Sequence, residues 1–137
     1  MKAHASVITL GARDMNRVKK FYNEGLGWAV HHEAPGYWLS FSLNNQALEF
    51  AFTPCEALAQ DAGASADGSG FRGVTLSYVV QSEKRVDEVL EQAQRAGGTI
   101  SRPTQKTHGY YSGYFTDPEG YHWKVVTGPG MQAFAAE

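Results

Sequence analysis

The chain has 137 residues, of which 42% are hydrophobic and 19% are charged, and its formal net charge is −2. This composition predicts one folded domain and argues against a disordered chain. It also argues against nucleic-acid binding and a membrane span, because no basic run exceeds Lys19-Lys20 and no apolar run approaches about 20 residues. The N-terminus lacks a signal-peptide pattern and Cys55 is the only cysteine, so we expect a cytoplasmic protein.

The first half of the chain predicts a strand, a helix, three more strands and a short helix. Asp14 can cap the first helix, which is expected to end near Gly25 and Gly27. The pair Asn44-Asn45 is a turn signal between the strands of a hairpin, and the short helix is expected over residues 54–62. The runs with the apolar or alternating pattern of strands are residues 5–12, 28–33, 37–43 and 47–52.

The second half repeats this order after a segment that is typical of a linker. Residues 61–71 are small, polar and rich in glycine. Ser82 can cap a second helix, in which the apolar residues from Val86 to Ala93 form a stripe along one side. The strand-like runs of this half are residues 73–81, 99–102, 110–116 and 121–127.

The two halves also match in register. A shift of 68 residues carries Asp14 onto Ser82, and a shift of 75 carries Glu49 onto Lys124. The agreement of element order, caps and turns indicates a duplicated unit. We therefore predict a single α+β domain of two tandem βαβββ modules that form a curved mixed sheet, with a small-molecule cleft between the modules. Module 1 is expected over residues 1–60, the linker over 61–71 and module 2 over 72–130.

Several motifs, spread over nearly the whole chain, resemble those of one known family. They are Ile8-Thr9-Leu10-Gly11-x-Arg13-Asp14, Phe21-Tyr22, Leu26-Gly27-Trp28, Val86-Asp87, Ala96-Gly97-Gly98 and the stretch from Gly109 to Trp123 with its turn Asp117-Pro118-Glu119-Gly120. The chain is similar in these motifs to the vicinal oxygen chelate superfamily, which includes glyoxalase I, bleomycin-resistance proteins and extradiol dioxygenases. The resemblance implies a glyoxalase-like fold of two modules.

For metal-dependent members, the resemblance implies two metal ligands from each module. One stands seven residues before the residue that caps the helix, and the other is a Glu directly after the position of Trp123. Here the first positions are Val7 and Thr75, and Lys124 follows Trp123. Only Glu49 has a ligand-type side chain, because an aliphatic group cannot bind a metal and an ammonium group repels one. We therefore expect no cofactor, and a divalent metal only in a non-standard site that uses Glu49.

Two alternatives stay open for Glu49 and Lys124. They either form an ion pair across the cleft, where the metal stands in relatives, or face solvent on the outer side of the sheet. A non-standard metal site would combine Glu49 with His122 or His108. The adjacent residues His31-His32 are expected to point to opposite faces of a strand, so that they cannot both reach one site.

The candidate site residues come from the histidines and from the aromatic residues on strands. His108, His122 and Tyr110 are the candidates for acid–base groups near neutral pH. A cleft with aromatic walls and few charges suits a modest apolar or aromatic molecule. The side chains expected to contact this ligand are Glu49, Lys124, Tyr78, Trp38 and Tyr114.

Three functions remain as alternatives. The first is a homodimeric protein, related to bleomycin-resistance proteins, that binds a small apolar or aromatic molecule without the usual metal. The second is a metal-dependent lyase, isomerase or dioxygenase of glyoxalase type with a non-standard site. The third is an enzyme without metal that uses a Tyr or His as acid or base on a bound carbonyl compound. The missing metal ligands favour the first.

Overall fold

The computed structural model describes residues 1–3, 5–62, 64–68, 70–72 and 74–137. The chain divides into two compact units, Met1–Ser69 and Gly70–Glu137. His4, two residues of the predicted linker and the predicted strand start at residue 73 lie outside the described residues. No helix in the described ranges has the length and apolar character needed to cross a bilayer.

The first unit is a four-stranded mixed sheet with helices. Its elements are β1 (Val7–Ala12), α1 (Met15–Lys19), a π-helix (Lys20–Gly25), β2 (Val30–Ala34), β3 (Trp38–Leu43), β4 (Leu48–Pro54) and α2 (Cys55–Ala62). The strand order is β1-β4-β3-β2, with β1 parallel to β4 and the other pairs antiparallel. Asp14 caps α1 as predicted, because its carboxylate accepts a hydrogen bond from the backbone N of Arg17 at 3.0 Å.

The core of the first unit lies between its sheet and the helical segment that follows β1. Tyr22, on the π-helix, is fully buried, and its ring centroid lies 5.7 Å from that of Phe41, 5.9 Å from Phe50 and 5.2 Å from Phe52. The sequence pattern predicted an ordinary α-helix here. The wider π turn reduces the angle between successive residues, so the neighbours Phe21 and Tyr22 both enter the core.

The second unit repeats the arrangement with its own mixed sheet. Its elements are β5 (Thr75–Val79), α3 (Glu83–Arg95), β6 (Thr99–Thr107), β7 (Tyr110–Thr116), β8 (His122–Thr127) and a 3₁₀ turn (Gln132–Phe134). The strand order is β5-β8-β7-β6, and β5 runs parallel to β8. Ser82 caps α3 as predicted, and Val86, Leu90 and Ala93 bury the apolar stripe. The predicted α+β fold of two βαβββ modules is confirmed.

The chain beyond residue 130, which we call the tail, makes hydrogen bonds to the second unit, and the module boundaries stay a prediction. The backbone N of Ala136 donates to Val79 O at 2.8 Å, and the backbone N of Gln81 donates to Glu137 O at 2.9 Å. These hydrogen bonds attach the tail to the end of β5. The tail has little apolar pattern, so the sequence alone predicted it to be outside the module.

Strand pairing corrects the predicted register between the two units. Val7 pairs with Glu49, and Thr75 pairs with His122. His122, which is 73 positions after Glu49, is therefore its counterpart, and Lys124 is not. The parallel pairing of β1 with β4 and of β5 with β8 fixes this equivalence within each unit. Matching the bulky residues of the two hairpins could not reveal this equivalence.

Candidate functional site

Strand alternation separates the first sheet into a core face and a second face that carries most of its polar side chains. Glu49 lies beside Val7 on β1 and beside Ser42 on β3, and Ser40 lies beside Ala51. Side chains at paired positions share a face. We call this surface the Glu49 face, and its strand residues are Val7, Thr9, Trp38, Ser40, Ser42, Glu49 and Ala51.

A β-bulge in β2 adds both adjacent histidines to the Glu49 face. Val30 pairs with Phe41, and His32 pairs with Ser40, so two steps along β2 match one step along β3. The extra residue, His31, is the unpaired residue of the bulge. The prediction that His31 and His32 point to opposite faces is therefore wrong. It assumed a regular strand, and the bulge removes the alternation at this one place.

The two imidazoles converge on one carboxylate. His31 Nδ1 lies 3.7 Å and His32 Nδ1 lies 3.6 Å from Oε1 of Glu49. The imidazole ring centroids are 4.1 Å apart. One ligand-type atom from each of the three residues lies within 4.8 Å of the other two. Side-chain exposure is 46% for His31, 67% for His32 and 26% for Glu49, so solvent can reach the cluster.

The buried hydroxyl of Ser40 stands next to this cluster. It is fully buried and has no hydrogen-bond partner in the described part of the chain. The Ser40 hydroxyl is the largest cause of the lowered pKa of the Glu49 carboxyl. Burial raises this pKa, and His32 and His31 lower it further. A hydroxyl that can donate toward a carboxylate stabilises the charged form of that carboxylate. The carboxylate is therefore the stable form of Glu49 at neutral pH.

Trp38 places an aromatic ring on the same face. It pairs with Ala34, and it is two residues before Ser40 on β3, which corresponds to about 7 Å along a strand. Its side chain is half-buried. Of the predicted ligand-contacting residues, the structure thus brings Trp38 and Glu49 to one face of the first sheet.

The other predicted site residues lie in the second unit. Lys124 Nζ lies 6.0 Å from the ring centroid of Tyr114, and Arg102 Cζ lies 5.0 Å from the same centroid. Tyr114 is therefore flanked by two cations. His122 packs its ring edge-on against Phe71, with centroids 5.7 Å apart. Lys124 and His122 are two residues apart on β8 and so share a face.

Tyr78 points away from that face. It pairs with Val125, a core residue next to Lys124. Its hydroxyl donates to Oε1 of Glu137 at 2.7 Å, and Nη2 of Arg85 donates to the same oxygen at 2.6 Å. Burial, with the Glu137 carboxylate, raises the pKa of Tyr78 to about 12. The phenol therefore keeps its proton at neutral pH, and its observed partners attach the C-terminal residue to the second unit.

This network predicts a pH-dependent stability. The Arg85 guanidinium and then the Tyr78 hydroxyl lower the pKa of Glu137, so its stabilisation is complete above the unfolded-state value of about 4.3 and is lost as pH falls below it. We expect Glu137→Gln to cost about 1 kcal/mol at pH 7, a value reduced for partial exposure, and much less at pH 3.5. Urea unfolding at both pH values measures this.

The matched control for that prediction is Glu91→Gln. Glu91 also pairs with an arginine, Arg95, but at 3.9 Å and with both side chains about 70% exposed. We expect this substitution to change stability by less than about 0.5 kcal/mol at either pH. Equal losses in the two variants would contradict a specific role for Glu137.

His108 and Tyr110 lie at the turn between β6 and β7. His108 is exposed and has a φ of 54°, a left-handed conformation that tight turns require. The Tyr110 ring packs on the backbone of Gly128, where an added Cβ would stand 2.4 Å from Tyr110 Cδ1. The structure thus gives Tyr110 a packing contact within its own unit, and its candidacy as an acid–base group stays a prediction.

A surface cavity of about 560 Å³ lies elsewhere in the first unit, at the ends of β1 and β4. Its polar lining includes Arg13, Glu56 and Asp67, and the thiol-bearing Cys55 also borders it. None of the predicted site residues lines this cavity. It is therefore separate from the Glu49 face.

The positions at which the family resemblance implies metal ligands do not fit a metal in this chain. Val7 has no lone pair to donate, and it is 44% exposed. The corrected register replaces Lys124 by His122 as the counterpart of Glu49, but Thr75 stands beside it. Each unit thus offers one ligand-type side chain at these positions. The predicted cleft between the modules, and the predicted ion pair of Glu49 with Lys124 across it, stay predictions.

Comparisons with known proteins agree on one family. The family model described as Glyoxalase/Bleomycin resistance protein/Dioxygenase superfamily matches residues 4–125. A glyoxalase-related enzyme from Fulvimarina pelagi is 30% identical, with a TM-score of 0.82 over 93% of this chain and 90% of that chain. No curated protein sequence matches the chain.

Two more distant structures show the same fold. A glyoxalase/bleomycin resistance protein/dioxygenase family enzyme from Burkholderia phytofirmans is 23% identical, with a TM-score of 0.75 over 91% of this chain and 98% of that chain. A lactoylglutathione lyase from Agrobacterium tumefaciens is 18% identical, with a TM-score of 0.70 over 93% of this chain and 96% of that chain. At these identities the likeness concerns the fold alone.

Proposed function

This chain belongs to the Glyoxalase/Bleomycin resistance protein/Dioxygenase superfamily, and from that premise we propose that it binds a small aromatic or apolar molecule on the Glu49 face. The observation that carries the proposal is the grouping of Trp38 with Ser40, Glu49 and the two bulge histidines on one face. An aromatic wall with a few convergent polar groups is the usual composition of a small-molecule site.

The side chains of this face have separate roles in the proposal. The half-buried indole of Trp38 offers a surface on which an aromatic ring stacks. The Glu49 carboxylate and the imidazoles of His31 and His32 recognise polar groups at the edge of the ligand. The ligand is therefore expected to combine one apolar or aromatic part with at least one hydrogen-bonding group.

A panel of small aromatic compounds tests the proposal. Thermal-shift measurements in the presence of EDTA are expected to find compounds that raise the melting temperature, as ligands of the folded state do. Titration of such a compound should then show at least about tenfold weaker binding to Trp38→Ala, a loss of about 1.4 kcal/mol. Tyr37→Ala is the matched control, because Tyr37 precedes Trp38 and its side chain is 74% exposed.

Two outcomes would count against the proposal. One is a panel in which no compound stabilises the protein. The other is a stabilising compound that binds Trp38→Ala and Tyr37→Ala as tightly as the unaltered chain. Either result would remove the Glu49 face as the small-molecule site while leaving the family membership intact.

The second candidate function is a metal-dependent lyase, isomerase or dioxygenase of glyoxalase type. The convergence of His31 and His32 on Glu49 favours it, because two imidazoles and a carboxylate are a frequent ligand set of catalytic metals. We also propose that the protein is a cytoplasmic homodimer. The edge strands β1 and β2 of the first sheet support pairing with a second copy, and light scattering after size-exclusion chromatography tests it.

A further inference from the structure

Two of the three clustered side chains that could bind a metal in the first unit lie on a strand outside the family pattern. At the family's positions, Val7 stands beside Glu49 where a ligand is expected. On the opposite flank of the same sheet, β2 brings His31 and His32 to the same carboxylate. Glu49 therefore has two imidazole neighbours on β2. The family resemblance implies no metal ligand on this strand.

The distances in this cluster suit one metal ion. Two ligand atoms that each stand about 2.1 Å from a tetrahedral metal are about 3.4 Å apart. His31 Nδ1 and His32 Nδ1 lie 3.7 Å and 3.6 Å from Glu49 Oε1, so shifts of a few tenths of an ångström bring each imidazole to that separation from the carboxylate. The ligand atoms of all three residues lie within 4.8 Å of one another. The bulge is the feature that makes this geometry possible, because a regular strand would place only one of the two imidazoles on this face.

A second observation also indicates a bound group. Ser40 pairs with His32 across the strands, on the face that carries Glu49. Its hydroxyl is 0% exposed and has no hydrogen-bond partner among the described residues. A buried hydroxyl without a partner costs free energy, and proteins seldom retain one without a reason. A carboxylate that turns to hold a metal can accept a hydrogen bond from the Ser40 hydroxyl, as metal-binding carboxylates commonly do from neighbouring groups.

We propose that His31, His32 and Glu49 bind one divalent first-row transition metal ion of the zinc or ferrous type. Two imidazoles and a carboxylate are the protein ligands of several catalytic zinc sites and of non-haem iron sites. The side chains remain partly exposed, so the ion keeps coordination positions that water or another ligand can occupy. Ser40 is a positioning residue for the Glu49 carboxylate. This site goes beyond the proposed small-molecule binding and does not depend on it.

Calorimetric titration of the full chain with Zn²⁺ tests the site, and Co²⁺ absorption reports its coordination geometry. We expect one Zn²⁺ per chain. Each of His31→Ala, His32→Ala and Glu49→Gln should weaken binding by more than about a hundredfold, because loss of a ligand exceeds the effect of a group that only orients one. Ser40→Ala should weaken binding by roughly tenfold and alter the Co²⁺ spectrum.

His122→Ala is the matched control, because it removes a half-buried histidine that lies outside the cluster. Its Zn²⁺ affinity should equal that of the unaltered chain. The three ligand residues are partly exposed, so these variants are expected to fold, and far-UV circular dichroism checks this. Absence of Zn²⁺ binding by the unaltered chain would overturn the proposal, as would affinity that the three substitutions leave unchanged or that His122→Ala lowers equally.

These outcomes can be distinguished from failure of the proposed small-molecule site. The aromatic panel is measured with EDTA, so a metal site that fails leaves that result unaffected. Conversely, Trp38 offers no metal ligand, and Trp38→Ala should bind Zn²⁺ normally even when it loses an aromatic ligand. A protein that passes both tests would have a metal and an aromatic platform on the same face, which is the arrangement that the second candidate function requires.

Discussion

Replacing Tyr22 with alanine is expected to cost about 4 kcal/mol of unfolding free energy, because removal of a buried aromatic ring leaves a cavity that the surroundings fill only in part. Tyr22 is 0% exposed, and its ring lies within 6 Å of five aromatic rings, including those of Trp28 and Phe52. Denaturant unfolding followed by tryptophan fluorescence measures the change. Trp28 is a suitable reporter, since its ring centroid lies 5.1 Å from that of Tyr22.

The chain provides a control of the same residue type. Tyr37 is 74% exposed, so Tyr37→Ala should change the unfolding free energy by less than about 0.5 kcal/mol. Tyr22→Phe keeps the ring and should lose much less than Tyr22→Ala. Equal losses for Tyr22→Ala and Tyr37→Ala would contradict the assignment of Tyr22 as the centre of the first core.

Local patterns predicted the parts of the fold that depend on neighbouring residues. The caps Asp14 and Ser82 were predictable because a side chain that accepts from a backbone N three residues later needs no tertiary partner. The stripe of α3 was predictable because a period of 3.6 residues selects one buried side. The same alternation principle placed Glu49 and Trp38 on strands.

The bulge histidines could not be predicted in this way. Whether His31 stands out of register depends on how β2 pairs with β3, at Phe41 and Ser40, and those partners lie at least eight residues away in the sequence. A bulge inserts one extra residue into a strand, and its position depends on pairing with the neighbouring strand and on packing of the sheet. The equivalence of Glu49 with His122 escaped prediction for a related reason. It depends on how β1 pairs with β4 and β5 with β8 across each sheet, which hydrophobic patterns do not fix.

The sequence pattern also marked Tyr110 as an acid–base candidate, and its surroundings suggest a different experiment. An added Cβ on Gly128 would stand 2.4 Å from Tyr110 Cδ1 and 3.1 Å from Cγ. These atoms lie at the rigid base of the ring, so rotation of a flexible end cannot relieve the clash. Gly128 also has a φ of 158°, which residues other than glycine rarely adopt. We expect Gly128→Ala to cost about 3 kcal/mol in urea unfolding.

Gly130→Ala separates the backbone contribution from the clash. Gly130 has a φ of 77°, and no atom lies within 4 Å of the Cβ that alanine would add. Its substitution should therefore cost only the conformational strain, about 1 kcal/mol. A loss for Gly128→Ala no larger than that for Gly130→Ala would mean that the ring of Tyr110 moves freely.

A double-mutant cycle then decides what Tyr110 contributes. If its ring packs on Gly128, Tyr110→Ala removes the obstacle, and the double variant should be more stable than the sum of the single losses predicts, by about 1–2 kcal/mol. Additive losses would show that the ring does not restrain residue 128. That result would leave the phenol free to turn toward a ligand. It would favour the predicted acid–base role of Tyr110 over a packing role. A favourable coupling would instead explain Tyr110 through packing, because the ring that fixes the end of β8 cannot swing away without exposing the Gly128 backbone.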